Sequence, residues 1–260
     1  MGLPRWTNGL ATMLRNLSAV SILPVVLFAA LLTSGCSQPP MTCPQVLYLD
    51  GAGWFTGDGS VRKGLQEAGY PGPVVRFGWS SGIAPLDHAT AGPSHPKADE
   101  LAGRITDLRR ANPHGQIVVM GLSAGSAIII YALEKLTQDV EVDDVVLLSA
   151  SVSGRTDLRE ALSHVKGRMY VTINPYDAIL MVGDSSGPES GDPAGRTGFV
   201  IPADASFDMP GQSVYNKVEY IQWKKEYEGM GWKAGHVGTT SSDFIKLVIA
   251  PKIMPVKKRS

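Results

Sequence analysis

Apolar runs rich in Val, Ile and Leu recur along the chain after residue 45, and most of them are separated by stretches with helical periodicity. Short apolar runs bounded by glycine, proline and polar clusters are typical of buried strands, whereas apolar positions spaced three and four apart predict amphipathic helices. The predicted strands are 46–49, 73–79, 116–120, 145–149, 169–173 and 218–223. The predicted helices are 60–69, 98–111, one that reaches residue 136, the second part of 153–163, and 241–250.

This alternation predicts one compact α/β domain over residues 45–250, with a doubly wound, mostly parallel sheet and no large cap domain. Right-handed crossovers bring the C-terminal ends of parallel strands to one edge of the sheet, where sites form. Two long loops are predicted, 80–97 and 183–211. The second is rich in Gly, Pro, Ser and Asp, so it is either a functional insertion over a site or a locally mobile segment.

The most informative stretch is Gly-Leu-Ser-Ala-Gly at residues 121–125, between the third predicted strand and an apolar helix. A serine in a sharp turn between strand and helix is typical of a nucleophile elbow, with the pattern G-x-S-x-G. Gly121 and Gly125 would let the strand and the helix approach each other, and the helix N-terminus would favour a developing negative charge. The alternative is an ordinary glycine-rich turn of a parallel-sheet protein. We distinguish the two by asking whether an acid and a histidine follow at the same edge.

The five histidines can be separated by whether they follow a strand, and so lie at the edge where sites form, or precede one. His114 and His164 precede strands and belong to the opposite edge, while His88 and His95 precede the serine in the chain. His236 follows the last strand and comes after both the serine and a plausible acid, so we select it.

The acid should follow a strand after the elbow. Asp177 comes four residues beyond the strand 169–173 and is our first choice, with Asp157 and Asp184 as alternatives. The first predicted strand ends in Asp-Gly-Ala-Gly-Trp, residues 50–54, which resembles the H-G-x-G loop of esterases and lipases with Asp in place of His. The alternative is a plain glycine-rich loop.

The elbow, the 50–54 loop and the chain order Ser123, Asp177, His236 together resemble the α/β-hydrolase superfamily, nearest to its lipase- and esterase-like members, over about residues 45–250. The resemblance implies a serine hydrolase that cleaves carboxylic esters through an acyl-enzyme, without a cofactor. It also implies that the N–H groups of Ala124 and of Ala52 or Gly53 hold the oxyanion. A peptidase or amidase on the same fold and a non-catalytic surface binding module remain as alternatives.

The N-terminal segment is separate from the predicted domain. Residues 1–36 combine arginines with an apolar run, as in a signal peptide, and end in Leu-Thr-Ser-Gly-Cys, which resembles a bacterial lipobox. We expect export, a lipid anchor on Cys36 that would bring the protein to a membrane, and a tether over 37–44. Ordinary cleavage near Gly35 and an uncleaved anchor are the alternatives. Residues 251–260 form a basic tail.

Composition narrows the function further. The formal net charge is zero and aromatic residues make up 7% of the chain, which argues against a nucleic-acid partner. The sequence contains no metal-ligand spacing, and its two cysteines, Cys36 and Cys43, suit neither a metal site nor a nucleophile. The expected partner is a small-molecule or lipid ester, and the sequence does not indicate an oligomeric state.

Overall fold

Six strands form a single sheet in the computed structural model, which describes residues 44–53, 55–182, 185–186, 189–204 and 214–255. Each strand coincides with one of the predicted apolar runs, and its bounds differ from the prediction by a few residues at most. The strands are β1 Gln45–Leu49, β2 Val74–Arg76, β3 Ile117–Leu122, β4 Asp144–Leu148, β5 Met169–Ile173 and β6 Val218–Gln222.

The sheet order is β2-β1-β3-β4-β5-β6, and every pair is parallel. Successive side chains of a strand point to opposite faces, so a run that is apolar throughout must be covered on both sides. Two clusters of buried residues do this: Leu47, Val119 and Leu147 belong to one, Val46, Val118 and Val146 to the other. The prediction of a parallel, doubly wound α/β sheet is confirmed.

Helices cover both faces of the sheet. The pair α3 and α4 packs on one face, while α1 packs against the C-terminal helical segment on the other. The helices are α1 Asp58–Glu67, α2 Ala84–Thr90, α3 Pro96–Ala111, α4 Gly125–Leu133, α5 Arg159–Ser163, α6 Ala178–Val182, α7 Ala194–Thr197, α8 Ser242–Phe244 and α9 Ala250–Ile253. A π-helical turn, Ile245–Ile249, joins α8 to α9, and 3₁₀ turns occupy Val214–Lys217, Lys225–Met230 and His236–Thr240.

The structure corrects several predicted boundaries. The predicted loop 80–97 contains the helix α2, and the described part of 183–211 contains the short helix α7. The helix after the elbow ends at Leu133 rather than 136. The last helical segment continues past residue 250 to Ile253, whose side chain is fully buried, so the first residues of the predicted basic tail belong to the domain.

Some predictions lie outside the described residues. These are the signal peptide with Cys36, the tether up to Cys43, Trp54 of the glycine-rich loop, the alternative acid Asp184, and the end of the basic tail at 256–260. Across the part of the chain that the structure describes, every helix is too short or too polar to cross a bilayer.

Candidate active site

Ser123 lies in the turn between β3 and α4, and its backbone is strained. Its φ of 53° is in the left-handed region, which a residue with a side chain seldom adopts and which is common at functional sites. A Cβ on Gly125 would lie 2.5 Å from the carbonyl oxygen of Asp50, and one on Gly121 would lie 2.6 Å from Ile129 Cδ1. The two glycines therefore permit the close approach of strand and helix that the sequence predicts around this serine.

Asp177 and His236 form a buried pair at the same edge of the sheet. The Nδ1 atom of His236 lies 2.8 Å from Oδ2 of Asp177, and both residues are at least 95% buried. The second carboxylate oxygen accepts hydrogen bonds from the backbone N–H groups of Ile179 and Leu180, at 3.1 and 3.3 Å, in the first turn of α6. The carboxylate is thus fixed by the backbone on one side and can orient the imidazole with the other.

Of the alternative acids, Asp157 lies elsewhere. Its carboxylate is half-exposed and pairs with Arg159, whose Nη2 lies 2.5 Å from Oδ2. It also accepts a hydrogen bond of 3.2 Å from the hydroxyl of Tyr215. These contacts hold the pKa of Asp157 below its usual value, with the Arg159 hydrogen bond as the main cause.

A third residue, Ser149, holds the backbone of His236. Its hydroxyl donates to the His236 carbonyl at 2.7 Å, and its own φ of 45° is also left-handed. The ring of Phe55 packs edge-on against the imidazole with centroids 5.3 Å apart. Because Nδ1 faces a carboxylate acceptor, the proton belongs on Nδ1 and Nε2 carries the lone pair. Nε2 is buried and makes no hydrogen bond to any described residue.

Phe55 lies next to both His236 and Ser123. Its ring packs on the imidazole of His236, and Phe55 and Ser123 line the same pocket. Within the described residues, no hydrogen bond joins the Ser123 hydroxyl to Nε2 of His236. The structure therefore brings the serine and the Asp177–His236 pair to one edge of the sheet, without a hydrogen bond between Ser123 and His236 in this conformation.

The loop after β1 contributes backbone N–H groups beside the serine. A Cβ on Gly51 would lie 3.3 Å from Cβ of Ser123, so this loop touches the elbow. The sequence left Ala52 and Gly53 as alternatives for a second oxyanion donor, and the backbone N–H groups of these two residues differ in their contacts. The Gly53 N–H donates to the carboxylate of Asp87 at 2.8 Å, whereas neither Ala52 nor Ala124 donates its N–H to a described residue.

Asp50, which replaces the histidine of the H-G-x-G pattern, has a structural role. Its Oδ1 accepts from the N–H of Gly57 at 2.7 Å, at the start of α1, and its Oδ2 pairs with Nε of Arg76 at 2.6 Å. The indole of Trp79 donates to the Asp50 carbonyl at 2.7 Å. These bonds anchor the loop to the start of α1, to the last residue of β2 and to Trp79 beyond it.

The pocket next to Ser123 has a volume of about 180 Å³ and mostly apolar walls. The helices α2 and α6 each contribute two lining residues. Chain order set His88 aside as a candidate base, and the sequence does not single out Ser151, yet both residues line this pocket. The lining residues are Ala52, Phe55, Ala84, His88, Ser123, Ser151, Ile179 and Leu180. Among the described residues, no group of three or more His, Cys, Asp or Glu side chains is arranged to hold a metal ion.

Comparisons with known proteins agree with this architecture. A family model described as alpha/beta hydrolase matches residues 59–186, from α1 to just beyond α6. A search of curated protein sequences finds no match. The family match and the parallel sheet covered on both faces define the α/β-hydrolase fold of this chain.

The solved structures that match this chain are distant in sequence. A cutinase-like protein from Cryptococcus sp. is 17% identical, with 82% of this chain and 97% of that chain covered and a TM-score of 0.40. The catalytic core domain of acetyl xylan esterase from Trichoderma reesei is 15% identical, with 79% and 98% covered and a TM-score of 0.40. A Trichoderma reesei cutinase is 17% identical with a TM-score of 0.37. The match covers 49% of this chain and spans 61% of that cutinase.

Proposed function

We propose that this protein is a serine hydrolase that cleaves carboxylic esters, with Ser123 as nucleophile, His236 as general base and acid, and Asp177 as the group that orients the imidazole. The observation that carries the proposal is the buried Asp177–His236 pair, 2.8 Å apart, at the edge where Ser123 stands on a strained turn. Strain and burial of this kind cost stability, and they are typical of sites where geometry serves a reaction.

The reaction proceeds in two steps. Nε2 of His236 takes the proton of Ser123 as the serine oxygen attacks the ester carbonyl, and the resulting oxyanion accepts hydrogen bonds from the N–H groups of Ala124 and Ala52. The tetrahedral intermediate collapses, the leaving alkoxide receives the proton from His236, and an acyl-serine remains. Water then attacks the acyl group while His236 takes its proton, and collapse releases the acid and returns a proton to the serine oxygen.

The lack of a hydrogen bond between Ser123 and His236 in this conformation is compatible with this mechanism. Catalytic hydrogen bonds are often long or misaligned before substrate binds and tighten in the reactive complex. Nε2 is buried without a partner among the described residues, so a serine or leaving-group oxygen that reached it would gain a hydrogen bond without displacing another described group.

A fluorophosphonate probe tests the proposal. The wild-type protein should be labelled covalently and the Ser123→Ala variant should not, while both keep the same melting temperature. A correctly folded wild-type protein that remains unlabelled would contradict the serine-hydrolase proposal. Comparing p-nitrophenyl butyrate with the corresponding p-nitroanilide separates the ester reading from the peptidase alternative, since we expect the ester to react and the anilide to be nearly inert.

We also propose that the protein is exported and carries a lipid on Cys36, on the strength of the N-terminal sequence pattern alone. Mass spectrometry of the mature N-terminus tests this. A lipidated cysteine at the N-terminus is the expected result, and an unmodified terminus beginning at another residue would contradict the lipid anchor without affecting the catalytic proposal.

A further inference from the structure

Asp87 is a buried residue in the middle of α2, and its carboxylate accepts four hydrogen bonds from the loop after β1 and from the segment between β2 and α2. Its side chain is 2% exposed. Oδ2 accepts from the N–H of Gly53 at 2.8 Å and from the hydroxyl of Ser80 at 2.5 Å. Oδ1 accepts from the N–H of Ser81 at 2.8 Å and from its hydroxyl at 2.6 Å.

These four bonds keep the carboxylate charged. Burial by itself would raise the pKa of Asp87, but the hydrogen bonds from the Ser80 and Ser81 side chains and from the Ser81 and Gly53 amides outweigh it, and the pKa lies below its usual value. Hydrogen bonds to an ionised acceptor are shorter and stronger than neutral ones, so the contact to Gly53 is a firm one.

The same contact decides which amide of the β1–α1 loop remains available. Gly53 has a left-handed φ of 60°, and a Cβ there would lie 2.7 Å from Cβ of Ala84 at the start of α2. The loop therefore packs closely against α2, and the Gly53 N–H already donates its hydrogen bond to Asp87. The preceding amide, that of Ala52, has no partner among the described residues and borders the pocket with Ser123.

We propose that Asp87 is a positioning residue for the reaction: by binding the Gly53 N–H, its carboxylate holds the β1–α1 loop so that the Ala52 N–H faces the oxyanion. The inference rests on the proposed function, because it requires a tetrahedral intermediate at Ser123. Asp87 does not touch the substrate in this scheme. It acts through the loop, and its removal should weaken an interaction that is made in the transition state.

An amide cannot replace this carboxylate. Each oxygen of Asp87 accepts from a backbone N–H, that of Gly53 or that of Ser81, and a backbone N–H cannot turn round to become an acceptor. In either orientation, the NH₂ group of an asparagine would face one of these two donors. Asp87→Asn should therefore disturb the loop with almost no change in side-chain volume.

The test compares Asp87→Asn with Thr90→Ala on p-nitrophenyl butyrate. Thr90 lies on the same helix, is exposed, and donates its hydroxyl to the Leu86 carbonyl, so its variant controls for a general effect on α2. Because loss of one oxyanion donor costs about 10²- to 10³-fold in kcat, we expect a displaced donor to lower kcat by roughly ten- to a hundredfold in Asp87→Asn. KM should change by less than about threefold, since the ground state does not use the donor. Thr90→Ala should match the wild type.

The outcomes separate the two proposals. If the wild type and Asp87→Asn are both labelled by fluorophosphonate and share the same kcat, the role of Asp87 is overturned while the serine-hydrolase function stands. If the wild type is not labelled, the proposed function itself fails. Should Asp87→Asn not fold, the double variant Ser80→Ala, Ser81→Ala removes the two hydroxyl donors to Asp87, together with the acceptors of the exposed Gly82 and Ile83 N–H groups. It should lower kcat by about threefold or more at constant KM, and a wild-type kcat would overturn the role.

Discussion

His236 is held by two hydrogen bonds, one between its ring Nδ1 and the carboxylate of Asp177 and one from the hydroxyl of Ser149 to its backbone carbonyl. The distances are 2.8 and 2.7 Å, and the residues involved are 59 and 87 positions apart in the sequence. All three follow the C-terminal end of a strand. The ring is therefore fixed by the sheet edge, which leaves Nε2 as the atom free to exchange a proton.

Replacement of Asp177 by asparagine should lower kcat by about 10³- to 10⁴-fold, because an amide at this position favours the wrong tautomer of the imidazole while keeping its place. Steady-state hydrolysis of p-nitrophenyl butyrate measures the loss. Asp157→Asn is the matched control: that carboxylate pairs with Arg159 at the surface, and its variant should retain wild-type kcat. If Asp157→Asn lost activity while Asp177→Asn remained active, the residue that orients His236 would be Asp157 and not Asp177.

The six strands of the sheet could be predicted from the sequence alone. The four inner strands β1, β3, β4 and β5 are short apolar runs, because both faces of the sheet are buried there, whereas the edge strands β2 and β6 also carry exposed polar residues. The position of each candidate residue relative to a strand also followed from chain order. This placed Ser123 after β3 and His236 after β6 at one edge, as the structure does.

The part that the sequence did not predict depends on contacts between distant residues. The helix α2 has the sequence Ala-Pro-Leu-Asp-His-Ala-Thr, with a proline, a buried aspartate and little apolar periodicity, so the segment resembled a polar loop. Asp87 binds Gly53, which is 34 residues away, and nothing in either local sequence indicates the pairing. The contact that occupies the Gly53 amide could therefore not be predicted from the sequence.

The pocket predicts a preference for short acyl groups. Its volume of about 180 Å³ is close to that of a cavity of about 150 Å³ that accommodates benzene, so it should hold an acyl group of about six carbons or fewer. Across p-nitrophenyl esters from acetate to dodecanoate, kcat/KM should be highest between butyrate and hexanoate and fall for longer chains. A maximum at dodecanoate would contradict this reading of the pocket.

Substitution at the pocket wall sharpens that prediction. Ile179 lines the pocket and is 47% exposed, so Ile179→Ala should enlarge the pocket without unfolding the protein, and the preferred chain should lengthen. Val182 lies on the same helix, is 90% exposed and does not line the pocket. Val182→Ala should leave the chain-length profile as it is in the wild type, and an equal shift in both variants would argue against a specific role of Ile179.

Gly125 at the elbow should not tolerate a methyl group. An added Cβ would lie 2.5 Å from the Asp50 carbonyl oxygen and 3.1 Å from Leu49 Cβ, both in or next to β1, so backbone must move. Overpacking of this kind costs about 1–3 kcal/mol of unfolding free energy, which urea denaturation measures. Gly103→Ala, inside α3 with nothing within 4 Å of its added Cβ, is the control and should be neutral or stabilise by up to about 1 kcal/mol.

Glu134, at the C-terminal end of α4, makes stability depend on pH. Burial, followed by repulsion from Glu160, Glu189 and Asp157, raises its pKa from 4.5 to about 7. The folded state therefore holds the proton more tightly than the unfolded chain, and this contribution to stability is lost as the pH rises from about 4.5 through 7. Glu134→Gln should be more stable than the wild type by about 1 kcal/mol near pH 8, a value reduced for solvent screening of this half-exposed group. The difference in unfolding free energy should vanish at about pH 3, where the wild-type carboxyl is protonated in both states. If Glu134→Gln were no more stable than the wild type near pH 8, ionisation of Glu134 would not lower the unfolding free energy, and the prediction would be wrong.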